Sequence, residues 1–219
     1  LGAGTIYKLG FLKDAFYVPM QEFMGLSHTQ IGTAMSVAGI ISTFGFLVSI
    51  YLTDRVSKKI LIPVSLIGIG LMGIGLSTFP PYWMFLLIYC GLAICADMLY
   101  WPTMLKTVRL LGTEEEQGRM FGILEAGRGL MDTLVAFGAL GIFAAMGSTV
   151  AGFKAAILFY SIVPLVIGFI SYFLLEPDEI QTVSETGAAV SKNKAAMEGV
   201  IRALKNRNIW LVSFNVFAV

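Results

Sequence analysis

Tyr51-Leu52-Thr53-Asp54-Arg55-Val56-Ser57-Lys58-Lys59 is the stretch on which the reading of this chain turns. One acid and three bases fall within residues 54–59, and the sequence on both sides is apolar and uncharged. A helix needs about 20 apolar residues to cross the hydrocarbon core of a bilayer. Both flanks meet that length, which predicts membrane spans over 28–52 and 60–79 joined by a tight charged loop. The loop has two readings. It is the basic turn that fixes topology, or it is a gate whose acid and bases bridge to a neighbouring bundle in one conformation and release it in another.

Working outward, Pro80-Pro81 breaks the chain and 82–105 forms the next span, interrupted only by Asp97. Thr113 and Glu116 form a capping box, a reciprocal pair that opens a helix. A span over about 118–146 follows and carries Glu125, Arg128 and Asp132. Residues 147–152 are a small-residue turn, and 153–175 is the sixth span, ended by Glu176-Pro177-Asp178. Upstream, Ser27 and Gln30 form another capping box, and 1–23 reads as the remainder of a first span containing Lys8, Lys13 and Asp14. Residues 176–207 are a polar linker. Within it Met197, Val200, Ile201 and Leu204 recur at helical spacing, predicting an amphipathic helix on the membrane surface. A seventh span begins at about 208. Both termini lie inside apolar stretches, so the expectation is a fragment of a longer multi-span protein without a signal peptide.

Composition agrees. Hydrophobic residues are 57% of the 219 and charged residues 13%, against about 25% charged in soluble domains. Mean hydropathy is +0.80. The expected class is an all-α integral membrane protein. A net charge of +1 excludes an electrostatic case for nucleic acid. Cys90 and Cys95 point to different sides of one helix, are poor partners for a disulfide, and read as small apolar packing residues. Counting Lys and Arg in the loops gives eleven on one side (Arg55, Lys58, Lys59, Lys106, Arg109, Arg119 and five between 192 and 207) against Lys154 alone on the other. By the positive-inside rule the loops after the second, fourth and sixth spans are expected to be cytoplasmic.

Gly68-Ile69-Gly70-Leu71-Met72-Gly73 matches the dinucleotide fingerprint, but a strand should precede that motif and a helix N-terminus should open at it. Here the glycines fall in mid-span, where small residues let helices approach. Gly118, Gly122 and Ala126 form another such edge. The lone His28 beside a helix start reads as a solvated or capping residue. No H-E-x-x-H, G-x-S-x-G or Cys/His cluster is present, so no catalytic residue, metal or cofactor is expected.

The Asp54-Arg55 and Lys58-Lys59 pairs resemble the loop between the second and third spans of the major facilitator superfamily, with Ile50 and Ser57 standing at its two glycine positions. Leu26-Ser27, with Gln30-Ile31-Gly32, resembles the family's start of the second span. Ile6-Tyr7-Lys8, residues 13–17, Trp101-Pro102 and Gln117-Gly118-Arg119 are similar to bacterial inner-membrane members of the YihN type, with a looser likeness to organophosphate/phosphate antiporters. The resemblance covers the whole chain. It implies a six-helix half-bundle of 3+3 repeats over 1–175, a cytoplasmic linker, and the start of a seventh span from 208. It also implies a missing C-terminal half, a central substrate path, and rocking between inward- and outward-open states in a bacterial inner membrane.

In that layout the first and fourth spans line the path. A charge at membrane depth costs about 2.5–3.5 kcal/mol on insertion scales, so it demands a partner or a wet cavity. Lys8 and Lys13 could hold a phosphate, sulfonate or carboxylate group, and Tyr7 with Asp14 forms an aromatic-plus-acid face suited to a sugar. The alternatives are that Lys13 snorkels and Lys8 pairs with Asp97. Asp97 and Trp101 could contact substrate; Asp97 could instead carry a proton or pair with Arg55. Glu125, Arg128 and Asp132 share one stripe, either neutralising one another or joining a gate network with the Asp54-Arg55 loop, Lys58, Lys59 and Arg119. The expected function is secondary active transport of a small polar, sugar-, phosphate- or sulfonate-bearing solute, with a coupling proton or a counter-transported anion. A proton-coupled sugar symporter is the alternative, and a non-transporting scaffold or receptor is the alternative of another class. An intramembrane enzyme lacks the clustered nucleophile and base, or metal ligands, that it needs.

Overall fold

The computed structural model describes residues 1–53, 55–111 and 113–176. Asp54, the linker with its amphipathic stretch, and the seventh span lie outside the described residues. Every regular element within them is helical. Helix α1 is Lys13–Met24, α2 His28–Thr53, α3 Lys58–Ser77, α4 Tyr82–Ala93, α5 Trp101–Arg109, α6 Gln117–Ala145 and α7 Val150–Leu174. A π-helical stretch, Ile94–Tyr100, joins α4 to α5 in one span, Tyr82–Arg109. Among the described residues five helices are long and apolar enough to cross a membrane.

Local signals set the helix ends. Ser27 Oγ accepts from Gln30 N–H at 3.2 Å, and Gln30 Oε1 accepts from Ser27 N–H at 2.9 Å. Ser57 Oγ accepts from Lys59 N–H at the head of α3. Thr113 and Glu116 form the second reciprocal box. Pro80 and Pro81 fall in the break between α3 and α4.

The first apolar stretch, expected as a span over 1–23, takes a different form. Gly2–Gly4 is a 3-10 turn and residues 5–12 continue in irregular turns before α1 begins. Their backbone mixes i+3 bonds, such as Lys8 N–H to Thr5 O at 3.3 Å, with i+4 bonds, such as Phe11 N–H to Tyr7 O at 2.8 Å. Phe16 then leaves helical geometry inside α1. Three glycines in ten residues weaken helix preference here, and crowding explains one of them. A methyl on Gly4 would lie 2.6 Å from Met131 Cβ and 2.7 Å from Arg128 O. The opening segment is thus pressed against α6.

The core forms around that segment. Ile6, Leu9, Leu12, Phe16 and Met20 are buried against Leu66, Ile69 and Leu76 of α3 and Phe153, Ile157 and Tyr160 of α7. Gly70 and Gly73 of the apparent dinucleotide motif lie on this seam, whereas Gly68 faces Cys95 of the π-helical stretch. A methyl on Gly70 would come 2.7 Å from Ser161 O of α7, and one on Gly73 would come 3.0 Å from Ser161 Cβ. Van der Waals packing of small residues holds such helices together, because lipid is as apolar as leucine. By contrast α2 and α6 are largely uncovered: 11% of the apolar window of each is buried, against 56% for α3.

Contacts at the two ends confirm the antiparallel order. Lys106 Nζ donates to Thr53 O at 2.9 Å, a lysine on the last carbonyls of α2, and Lys59 lies 5.8 Å from the Tyr172 ring. At the opposite end Tyr82 Oη reaches Gln30 O at 3.5 Å, and Lys154 lies over Phe79.

Candidate functional site

Asp97 lies near the middle of Tyr82–Arg109, and Asp132 near the middle of Gln117–Ala145. Charges this far from either helix end must be met by protein or by water, and each is met by the opening segment. Lys8 Nζ binds Asp132 Oδ1 at 2.6 Å; the lysine side chain is 14% exposed and the carboxylate 45%. Tyr7, one residue earlier, donates from Oη to Asp97 Oδ1 at 2.9 Å. Ser42 of α2 makes a short hydrogen bond to Asp97 Oδ2. Adjacent residues of the opening segment thus reach two different helices, Tyr7 the span that carries Asp97 and Lys8 helix α6.

The expected stripe on α6 is divided. Arg128 donates from Nε and Nη2 to Glu125 Oε2 at 2.8 and 2.6 Å, whereas Asp132 belongs to Lys8. The Arg128 guanidinium lies 5.8 Å from the Trp101 ring. Trp101 in turn packs on Tyr7 at 6.2 Å between ring centroids. Asp97 and Trp101 do face one site, although the π-helical stretch between them widens the turn beyond the regular helical register.

These side chains wall a cleft of about 640 Å3, lined by Tyr7, Lys8, Phe11, Asp14, Asp97, Arg128, Asp132 and Tyr160. Small-molecule sites run about 300–1,000 Å3. Three carboxylates face two cations across it, and both cations are already paired. A smaller cavity of about 120 Å3 lies beside it and shares Tyr7, Phe11 and Asp97; Gly10, Ala38, Gly39 and Ser42 line its far wall.

Of the residues that sequence points to, Tyr7, Lys8, Asp14, Asp97, Arg128 and Asp132 meet at this cleft, with Trp101 and Glu125 supporting it. Lys13 lies apart and pairs with its neighbour Asp14 at 3.0 Å. Lys8 pairs with Asp132 and not with Asp97. Arg55, Lys58 and Lys59 stand at the end of the bundle between α2 and α3. Arg55 lies over the Tyr51 ring at 4.5 Å. Arg119 is exposed on the first turn of α6. Among the described residues no ion pair links Arg55 to Glu125 or Asp132. His28 stacks on Tyr17, whose Oη is 2.5 Å from Nδ1. Sequence reasoning misses Ser42 and Tyr160: each is a neutral residue in an apolar helix, with no local signal separating it from packing residues.

Comparison with known proteins places these features in a family. The sequence profile of the Major Facilitator Superfamily matches residues 11–219. Inner membrane protein YihN of Escherichia coli (strain K12) is 46% identical over 223 residues, which cover 100% of this chain and 52% of YihN. Inner membrane protein YqcE of the same organism is 27% identical over 218 residues, 99% of this chain and 50% of YqcE. An uncharacterized MG294 homolog of Mycoplasma pneumoniae is 24% identical over 241 residues, 98% of this chain and 49% of that protein. The chain thus spans about half the length of these curated relatives. No solved structure matches. The five membrane-length helices, the charged central cleft and the profile match along nearly the whole sequence lead to one conclusion: this chain, a multi-pass membrane protein, belongs to the Major Facilitator Superfamily.

Proposed function

We propose that the chain forms one half of a secondary active transporter for a small, hydroxyl-rich solute that bears an anionic group, moved by alternating access. The observation that carries this reading is the Lys8–Asp132 pair inside the cleft. Lys8 comes from the opening segment and Asp132 from α6, so the ammonium already holds one anion supplied by a different element. A phosphate, sulfonate or carboxylate on the solute can take that place. Tyr7, Asp97 and Trp101 then supply the hydroxyl-binding and stacking surface that suits a sugar-like body. A scaffold or receptor has no need for paired charges around a wet cavity at membrane depth, where they are costly.

In this reading a second half, like the remainder of the longer relatives, closes the other side of the cleft. The basic end with Arg55, Lys58, Lys59 and Arg119 is cytoplasmic, in a bacterial inner membrane like that named for the relatives. With Asp54 these residues form a gate that grips the second half in one conformation.

The test is uptake by the complete protein in proteoliposomes, using labelled sugars with and without a phosphate, sulfonate or carboxylate. The expected result is accumulation of an anionic sugar and little of its neutral parent. Preference for the neutral parent would contradict the anionic assignment, and no accumulation of any member would favour a scaffold.

A further inference from the structure

The small cavity beside the cleft has a volume of about 120 Å3, and Tyr7, Phe11 and Asp97 are walls of both spaces. Tyr7 and Phe11 meet edge to face at 5.9 Å between ring centroids, so an aromatic pair stands where the two spaces join. Beyond it the lining changes character. Ile6, Met35 and Leu92 share the wall with small residues from three elements: Gly10 of the opening segment, Ala38 and Gly39 of α2, and Ala93 of α4. Tyr7 and Ser42 both hydrogen-bond to Asp97. Tyr89 is the other polar side chain on the wall.

The two glycines of this wall differ from those of the seam between α3 and α7. A methyl on Gly39 would meet nothing within 4 Å, and one on Gly10 would meet only Tyr7 O at 3.8 Å, an ordinary contact. Close approach of helices therefore does not account for them, and their effect is to keep a space open. A water held in such a space needs about three hydrogen bonds, and a solute hydroxyl left there without a partner is costly. An apolar group gains from the same walls. At about 30 Å3 for a water-sized volume, the cavity takes about four heavy atoms.

We infer that the small cavity is a second subsite, which receives a short apolar substituent of the anionic sugar whose charge is held at Lys8; the inference rests on the transporter reading. The solute class is then narrower than a free anionic sugar: it is an anionic glycoside whose aglycone is an alkyl group of up to about four carbons. The sugar body lies against Tyr7 and Trp101, the anion reaches Lys8, and the aglycone passes Phe11 and Asp97 into the space between the opening segment, α2 and α4. Gly39 is a specificity-determining position, because a larger side chain there takes the space of the aglycone. Shared walls with the cleft assign the cavity to the solute. A side chain of the second half is the competing occupant, and the experiment separates the two.

Uptake by the complete protein in proteoliposomes tests this, with the phosphate, sulfonate and carboxylate forms of glucose, each as the free sugar and as its methyl, propyl, butyl and hexyl glycoside. Apparent affinity should rise about fourfold per carbon, as burial of a methylene does, as far as butyl, and should level off or fall at hexyl. Gly39→Leu should abolish the preference for the butyl glycoside over the free sugar. Gly39→Ala, a smaller change into open space, should move the best chain from butyl to propyl. Equal affinity for the free sugar and all its glycosides would overturn the inference, give the cavity to a side chain of the second half, and leave the transporter reading intact. A rise that continues through hexyl, or a preference unchanged in both Gly39 variants, would also overturn it by placing the alkyl chain elsewhere. No uptake of any probe would sink the transporter reading, and the subsite with it.

Discussion

The seam between α3 and α7 and the cleft between the opening segment and α6 are built from the same apolar, glycine-rich sequence, yet they are opposite in construction. At the seam, glycines are crowded: Gly70 and Gly73 lie directly against Ser161 and leave no room for a methyl. The described charge nearest to it, Lys59, stands at its end, against the Tyr172 ring. On α6, a methyl added at Gly118, Gly122, Gly127 or Gly129 would meet nothing within 4 Å, and the ionic residues gather on the same helix. The difference teaches that the half-bundle keeps its close packing apart from its charge. Close packing supplies rigidity on one side, while the other side keeps open space and paired charge.

The largest expected effect is at the cleft. Lys8→Ala leaves Asp132 without its cation. Breaking a buried pair costs about 3–5 kcal/mol, and the partial exposure of Asp132 brings this down to about 2–3 kcal/mol. Loss of the charged Lys8 contact with the solute anion, about 1.5–3 kcal/mol, should lower uptake of an anionic sugar roughly ten- to a hundredfold, while detergent-solubilised protein still elutes as a single species. Next comes the seam. Gly70→Ala should lower stability by about 1–3 kcal/mol, as overpacking does, seen as a lower midpoint in a thermal unfolding assay with uptake per folded molecule retained. If Gly70→Ala left the midpoint unchanged, the seam would not be the rigid side. A smaller effect is expected at Glu125→Gln. This pair is half-exposed and spaced i, i+3, a class worth about 0.3–0.5 kcal/mol, so apparent affinity should change about twofold. The smallest is Gly122→Ala, which meets open space. It should leave the half-bundle as stable as before or slightly more so, since alanine is the better helix former.

Several features were legible in sequence because they depend on near neighbours. The two capping boxes and the Pro80-Pro81 break follow from residues within a few positions of each other. The packing role of Gly70 and Gly73 followed from their depth in an uncharged span. Other features were not legible, because they are decided by contacts far apart in the chain. Lys8 could be seen to need a partner, but only the packing of the opening segment against α6 selects Asp132 over Asp97. The irregular turns of residues 5–12 were hidden under a composition that suits a span, and helix preference there yields to the approach at Gly4. Ser42 gave no signal at all: its importance comes wholly from the carboxylate 55 positions later.

A double-mutant cycle on uptake of an anionic sugar, with Lys8→Ala, Asp132→Asn and both together, bears most directly on the cleft as the solute site. If Asp132 acts through Lys8, the double variant should be no worse than Lys8→Ala alone. Wild-type uptake in both single variants, or losses that simply multiply, would contradict the account.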